Sequence, residues 1–397
     1  MAGLSLFLVA VVATAAWLAL RESTYVAPDR KPGVASADEG GGARALADLT
    51  RAVRRGSPAS ASALGGDQHL LRGVVANARA LHVEDFSLRY VDEAGAVDAD
   101  GTWPAYVEAG WRFAGFDGRA VHLELRVTFT RSGQRVGIGA IGGGDRRSPL
   151  WLTGPLQVRR TPTTLVLVDG SAREADRYAA LARTAVPQVQ QVLPAWRGGL
   201  VLEVPGSAAG LRRELAADPD TYSDIAAVTT TVDGSTSRTA PVHVFVNPEV
   251  AAGLRRTGAQ VVVTHEATHV AVGAATSTMA PWLLEGFADY VALREVRLPL
   301  TTTAAHIIAD VRHGGAPHHL PGTGAFGTSA RHLEATYESA WLACRLLAQR
   351  GGADALVRAY RAVDAGAPLG PTLERDLGLS EPQLTRQWRT LLTRLAT

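Results

Sequence analysis

The chain has 397 residues, of which 46% are hydrophobic and 20% are charged, so its length and composition exclude a largely disordered protein and predict about two folded domains. The formal net charge is +2, and no basic stripe carries interleaved aromatic residues, which excludes a dedicated nucleic-acid-binding protein. The single cysteine, Cys344, excludes an intrachain disulfide and a cysteine-rich zinc site, and its apolar helical surroundings predict a buried thiol.

The first predicted element is a membrane-spanning helix at residues 1–20. No charged residue occurs between Ala2 and Leu20, and at about 1.5 Å per residue such a helix just spans the roughly 30 Å apolar core of a bilayer. A cleaved signal peptide is the alternative, which the length of the apolar run and the lack of a clear cleavage site disfavour. We therefore predict a single-pass protein of the cell membrane with its bulk outside the cytoplasm, although the basic residues after the span favour the opposite orientation.

Residues 21–160 are predicted to form a linker and a first domain. Residues 21–42 are polar and rich in Gly, Pro and Ala, which is typical of a flexible linker. Within 43–160, short helical patterns precede segments of alternating apolar residues, and we predict strands at 83–91, 103–116, 121–129, 136–141 and 151–158. Short helices followed by an antiparallel meander resemble the cystatin-like or NTF2-like α+β fold. Since no set of catalytic residues stands out, we expect this domain to be a spacer or to bind a partner.

The second predicted domain covers residues 161–397. Its apolar strands, at 164–168, 199–204 and 242–246, are accompanied by helical patterns at 172–195 and 208–217. Everything after the third strand has helical periodicity. The whole chain is therefore predicted to be α+β, and the second domain is predicted to be a small sheet followed by a run of helices.

A metal-binding pattern, His265-Glu266-x-x-His269, follows the last of these strands. Helical residues four apart lie on the same face, so the two imidazoles can share one metal ion. Glu266 lies about 100° around the helix, close enough to face a metal-bound water. The pattern alone is of moderate specificity, and two helical histidines with ordinary hydrogen bonds are the alternative.

A second helix is predicted to begin at Pro281, a residue suited to the first turn. Glu285 falls one turn into this helix, so a helical hairpin can bring its carboxylate to the two histidines. Asp289 comes four residues later, on the same face as Glu285. Two histidines and a glutamate with one open position are the arrangement of catalytic zinc, and this makes the alternative of ordinary helical histidines weak.

These two segments together resemble a known family. The pattern His265-Glu-x-x-His269 followed by Trp282-Leu-x-Glu-Gly-x-Ala-Asp-Tyr290 is similar to the motifs of the gluzincin clan of zinc metallopeptidases, particularly its bacterial peptidase-MA-like families. The likeness is strong over 261–290 and weaker over the rest of the second domain. A metzincin is excluded, because it needs glycine and histidine where this chain has Val272 and Ala275.

The resemblance implies a role for each side chain of the motif. His265, His269 and Glu285 are expected to bind one Zn²⁺ ion. Glu266 is expected to activate a water molecule as the general base. Asp289 is expected to orient a zinc-bound histidine, whose second ring nitrogen needs an acceptor.

The remaining catalytic role is a second electrophile for the oxyanion, and Tyr337 is our candidate. The resemblance favours it, since related families often carry a tyrosine at the start of a helix downstream of the motif. A tyrosine that only packs is an equal alternative, and His332, His318 and His319 are further candidates. The Gly- and His-rich loop 313–329 is expected either to border the cleft or to be a plain surface loop.

From these residues we predict a zinc-dependent metallopeptidase whose partner is a peptide or protein substrate. The resemblance implies that the sheet edge near strand 241–246 aligns an extended peptide by backbone pairing. No Gly-x-Met-Glu-Asn-type element occurs, so an endopeptidase is favoured over an aminopeptidase. Two alternatives stay open: a catalytically inactive gluzincin-like binding protein, which the intact Glu266 disfavours, and a zinc hydrolase of a non-peptide amide.

Overall fold

Three helices open the part of the chain that the structure describes. The structure is a computed structural model, and it describes residues 36–327 and 330–397. The helices are α1 (Glu39–Arg55), α2 (Pro58–Ala61) and α3 (Gln68–Leu81). Asp38 caps α1, because its carboxylate accepts a hydrogen bond of 2.7 Å from the backbone N–H of Gly41.

The start of α1 differs from the linker predicted at 21–42, since residues 39–42 form the first turn of the helix. Residues 21–35 lie outside the described residues. The physical reason is visible at Gly42, where a Cβ atom would lie 3.1 Å from the ring of Tyr90. The glycines at 40–42 are typical of a linker, but in this fold they let α1 approach the neighbouring sheet closely.

The first sheet is a four-stranded antiparallel meander. Its strands, in spatial as in chain order, are β1 (Val83–Glu93), β2 (Trp103–Phe113), β3 (Val121–Ser132) and β4 (Arg135–Ile141). Successive side chains of a strand point to opposite faces, and the alternating Leu125, Val127 and Phe129 are accordingly fully buried. Together with Trp103 and Trp111 they belong to the core under α1 and α3.

A second, mixed sheet follows. In chain order its region contains α4 (Leu150–Thr153), β5 (Gln157–Arg160), β6 (Thr164–Val168), α5 (Ala172–Gln190), β7 (Leu200–Val204), α6 (Ala208–Leu215), β8 (Ala227–Thr231) and β9 (Val242–Val246). The five strands lie in the order β5-β6-β7-β9-β8. Strands β6, β7 and β9 run parallel, and β5 and β8 are antiparallel edge strands on either side of them.

Several features of this sheet differ from the sequence-based prediction. The strand predicted at 151–158 is helix α4 followed by β5, because Trp151 turns into the first core and meets Phe86 edge to face at 5.2 Å. Strand β5 pairs with β6, so the second sheet begins before residue 161. Strand β8 was not predicted, since a run of threonines lacks apolar alternation. It covers the strand predicted at 241–246, which is therefore an interior strand.

Helices make up the rest of the chain. They are α7 (Pro248–Ala252), α8 (Arg256–Val272), α9 (Pro281–Ala292), α10 (Leu300–Thr303), α11 (Ala305–Gly314), α12 (Leu333–Asp364), α13 (Leu369–Leu377) and α14 (Glu381–Ala396). Helix α12 is broken at Gly352, whose φ of 82° is not helical. Helices α9 and α12 come unusually close at Gly286, where a Cβ atom would lie 2.4 Å from the carbonyl oxygen of Ala340.

The second sheet is buried on both faces, and residues 37–397 form one compact unit. Val166, Leu202 and Val244 belong to the core shared with the helices. Leu167 and Phe245 belong to the core of the first sheet. The site described below therefore rests on a sheet that is held rigidly from two sides.

A buried network of charged groups crosses the contact between the two sheets. His243 on β9 is 1% exposed, and its Nε2 lies 3.0 Å from Asp117 Oδ1 in the turn after β2. Its Nδ1 lies 2.6 Å from Glu203 Oε1 on β7. Because each ring nitrogen faces a carboxylate, the imidazole bridges the two sheets through both of its nitrogens.

The predicted fold class also included a membrane-spanning helix at 1–20, and this part of the prediction is corrected. That segment lies outside the described residues. Within 36–327 and 330–397, no helix is long and apolar enough to cross a membrane. The longest helix, α12, carries charged residues such as Glu338 and Arg345 along its length. The described fold is α+β with one antiparallel and one mixed sheet, and the predicted single-pass location finds no support in it.

Candidate metal centre

Helix α8 presents the two histidines of the motif on one face. His265 and His269 are four residues apart, and their Nε2 atoms lie 2.9 Å from each other. Val263 and Ala267 are buried in the core, which fixes the rotation of the helix and so aims the imidazoles. The helix ends at Gly273, whose φ of 71° lies in the left-handed region that favours glycine.

Helix α9 brings Glu285 back to these histidines. The chain reverses through a short 3-10 turn, Ala274–Thr276, and enters α9 at Pro281. Glu285 Oε2 lies 3.1 Å from His265 Nε2 and 3.2 Å from His269 Nε2. The structure thus brings the three predicted ligands together.

The three ligand atoms fit a single zinc ion. They form a triangle with sides of 2.9, 3.1 and 3.2 Å. Zinc bonds of about 2.0–2.2 Å in a tetrahedron give ligand–ligand distances of about 3.3–3.6 Å, so the triangle is a slightly contracted face of such a tetrahedron. Two ring nitrogens and one carboxylate oxygen are a donor set typical of catalytic zinc. Across the described ranges 36–327 and 330–397, no other three His, Cys, Asp or Glu side chains converge in this way.

Asp289 occupies the position predicted for it. Its Oδ1 lies 2.7 Å from Nδ1 of His265, one turn beyond Glu285 on the same helix. An Nδ1–H that donates to this carboxylate leaves the lone pair of Nε2 directed at the other two ligand atoms. The second histidine differs, because the buried Nδ1 of His269 has no hydrogen-bond partner among the described residues.

Glu266 lies beside the ligands and is 7% exposed. Burial raises the pKa of Glu266, and the neighbouring histidines and Thr229 only partly offset this effect. The hydroxyl of Thr229, on strand β8, donates a hydrogen bond of 2.6 Å to Glu266 Oε2. The sequence analysis missed Thr229, since it lies 37 positions away in the chain and nothing distinguishes it from the threonines beside it.

Tyr337, the candidate second electrophile, lies near the start of α12. Its ring centroid is 6.3 Å from that of His265. Burial, together with the carboxylates of Glu285 and Asp289, raises the pKa of Tyr337, so the phenol keeps its proton. Phe326, from the loop predicted at 313–329, meets the tyrosine edge to face at 5.4 Å. That loop therefore contacts the site through Phe326, and its residues 328–329 lie outside the described part.

The other candidates for the second electrophile lie elsewhere. His318 and His319 line a groove of about 720 Å³ with residues of α13 and α14, among them Glu374 and Arg389. His332 is exposed and pairs with Asp310 at 2.9 Å. None of these three histidines is brought to the ligand triangle.

Comparison with known proteins adds no family to these observations. No protein-family model matches the chain, and no curated protein sequence matches it. The likeness to the gluzincin clan therefore depends on the motif residues quoted above.

Proposed function

We propose that the chain is a zinc-dependent metallopeptidase. The observation that supports this most is the convergence of His265, His269 and Glu285 on one point, with ligand atoms no more than 3.2 Å apart. A carboxylate outside the ligand set, Glu266, lies beside that point in a buried setting. A purely structural zinc site does not require such an additional acid.

The chemistry follows from the positions of the side chains. A zinc ion held by His265, His269 and Glu285 would supply an acidified water, with a pKa near about 7. Glu266 would take a proton from that water as general base while the water oxygen adds to the carbonyl carbon of the peptide bond. Glu266 would then give the proton to the nitrogen as the C–N bond breaks, which releases a carboxylic acid and an amine. Tyr337 lies against His265, and its phenol, which is protonated at neutral pH, would donate a hydrogen bond to the oxyanion that forms on the carbonyl oxygen.

The free edge of the second sheet offers a place for the substrate. Strand β8 is the last strand of the sheet, and its Thr229 contacts Glu266. The backbone groups of an edge strand can pair with an extended chain. We therefore propose that a peptide lies along β8, which corrects the earlier placement of this edge at 241–246. An extended peptide that passes along the strand fits an endopeptidase.

The test combines zinc content with peptide cleavage on the full chain. The native protein, Glu266→Gln and the surface control Glu295→Gln are loaded with zinc and analysed for metal by elemental analysis. Each is then incubated with a quenched fluorescent peptide library. Glu295 is exposed in the turn that follows α9, so its variant removes a charge of the same sign from the surface of the protein.

We expect one zinc per chain in all three proteins and cleavage by the native chain and Glu295→Gln alone. Binding of zinc without cleavage by any of them would contradict the peptidase and direct the search to a non-peptide amide or to a binding role. A folded native chain that takes up no zinc would contradict the ligand assignment itself.

A further inference from the structure

The general base is held by a residue from a different element. Thr229 Oγ1 lies 2.6 Å from Glu266 Oε2 and 3.2 Å from the backbone carbonyl oxygen of Glu266. A hydroxyl has one proton to donate, and the shorter contact, to a carboxylate, is the stronger of the two. The proton of Thr229 is therefore directed at Glu266 Oε2.

We propose that Thr229 is a positioning residue that fixes the orientation of the Glu266 carboxylate. Its hydrogen bond occupies Oε2, while Oε1 of Glu266 has no hydrogen-bond donor among the described residues. With Oε2 fixed by this hydrogen bond, the direction in which Oε1 of Glu266 points is fixed as well. Proton transfer needs a fixed orientation of the carboxylate, because the oxygen that accepts the proton must lie within hydrogen-bond distance of it. The inference rests on the proposed function, in which Glu266 is the base.

Strand β8 fixes the position of the Thr229 hydroxyl. Thr229 lies in register with Val244 of β9, and Val244 is fully buried. A β-branched side chain has few χ1 rotamers, so a threonine fixed in a paired strand keeps its hydroxyl in place. Sites built on strands and helices are more exact than sites built on loops. The hydrogen bond thus ties helix α8 to the edge of the sheet at the position of the base.

The neighbouring residue provides a matched control. Thr230 follows on the same strand, so its side chain points to the opposite face. No side-chain hydrogen bond of Thr230 to a described residue is present. Thr229→Val and Thr230→Val therefore make the same change on the same strand, and only the first removes a contact with Glu266.

The experiment uses the full chain as native protein, Thr229→Val, Thr229→Ser and Thr230→Val, each loaded with zinc. We expect Thr229→Val to lower kcat by about 10–100-fold, the effect typical of losing such a supporting hydrogen bond, with KM and zinc content unchanged. Thr229→Ser keeps the hydroxyl and should recover most of kcat. Thr230→Val should match the native protein. A native kcat in Thr229→Val would overturn the inference.

Crystal structures of the zinc-loaded variants give a readout that does not depend on activity. The Glu266 carboxylate should keep its orientation in Thr229→Ser and Thr230→Val and turn away in Thr229→Val. An unchanged orientation of the Glu266 carboxylate in Thr229→Val would overturn the inference, whatever the kcat of that variant. If the native chain cleaves no peptide, the proposed function fails, whereas these structures still decide whether Thr229 orients Glu266.

Discussion

At the scale of single residues, the site depends on how each ligand is oriented. Nδ1 of His265 lies 2.7 Å from Asp289 Oδ1, and a proton held there leaves Nε2 as the nitrogen that faces Glu285 and His269. Tyr337 lies against the same imidazole. Asp289 and Tyr337 can therefore each be replaced while His265 itself is kept.

Replacing Asp289 tests the support of the first histidine. Asp289→Asn keeps the shape but weakens the acceptor that holds the Nδ1 proton of His265, so zinc affinity should fall by about 10–100-fold. Competition with a chromophoric chelator measures this affinity. Glu295→Gln, an exposed change, should leave it unaltered. Equal affinity in Asp289→Asn and the native chain would mean that the contact does not orient His265.

Replacing Tyr337 distinguishes catalysis from packing. Tyr337→Phe keeps the ring that packs on Phe326 and removes only the hydroxyl. If the phenol stabilises the oxyanion, kcat should fall by about 100-fold or more while zinc content is unchanged. Steady-state kinetics on a cleaved library peptide decides the question. A kcat within a factor of two of native would identify Tyr337 as a packing residue.

The residues that could be predicted were those whose relation is local. His265, Glu266 and His269 share one helix, and Glu285 and Asp289 share the next. Their spacing predicted which of them share a face, and the resemblance to the gluzincin motifs implied their roles. Thr229 lies on a strand that joins the site only through the fold, and its run of threonines carries no signal. The same holds for the histidines predicted as alternatives, whose position depends on how the later helices pack.

At the scale of elements, the site requires α9 to lie close to α12. Gly286 directly follows Glu285, the third proposed ligand, and a Cβ atom at Gly286 would lie 2.4 Å from the carbonyl oxygen of Ala340. Backbone atoms cannot yield as a flexible side chain can. The glycine in this motif is therefore a packing requirement that also sets the position of Glu285.

Adding one methyl group at this contact should destabilise the protein. Gly286→Ala forces the two helices apart, and we expect the free energy of unfolding to fall by about 1–3 kcal/mol, as in other overpacked cores. Gly258→Ala on α8 is the control, because its nearest neighbour would be 3.8 Å away, and it should be neutral or slightly stabilising. Urea denaturation followed by circular dichroism measures both. Equal midpoints for the two variants would contradict this account of Gly286.

The strands show where sequence patterns suffice and where they fail. The apolar runs at 164–168 and 242–246 were predicted at their observed bounds, since both strands are buried and β-branched. Strand β8 lies at the edge and has too few apolar residues to be recognised. Without β8 an interior strand has the appearance of the edge, so the true edge of the sheet could only come from the fold.

At the scale of the whole molecule, the two sheets are joined through His243. Burial opposes the charge on this imidazole, but Asp117 and Glu203 outweigh it and raise the pKa of His243 to about 9. A raised pKa means that the folded chain binds the proton more tightly than the unfolded chain, for which the ordinary value is 6.5. This contribution to stability is complete below about pH 6.5 and is lost as the pH rises through about 9.

Unfolding measured between pH 6 and pH 10 tests this linkage. The difference in the free energy of unfolding between the native chain and His243→Gln should be largest near pH 6 and shrink steadily between about pH 6.5 and about pH 9. Burial and Glu203 also raise the pKa of Glu214, a group that both proteins carry, and the test therefore compares the two proteins at each pH. A difference that stays constant over this range would contradict the charged bridge.

The arrangement of the whole chain was only partly predictable. Composition and periodicity gave an α+β chain, but Asp117, Glu203 and His243 lie far apart in sequence, and no local pattern shows that they meet. The domain boundary predicted at 160 falls between β5 and β6, which pair with each other. Contacts between residues so far apart in the chain depend on how both sheets pack, and no sequence spacing predicts them.

The zinc content of the purified full chain tests the central claim most directly. After loading with zinc and removal of excess metal, elemental analysis should find one zinc per native chain and far less in Glu285→Ala, which lacks one of the three ligands. Circular dichroism confirms that both proteins are folded. A folded native chain without zinc, or equal zinc in the two proteins, would contradict the assignment of His265, His269 and Glu285 as a metal centre.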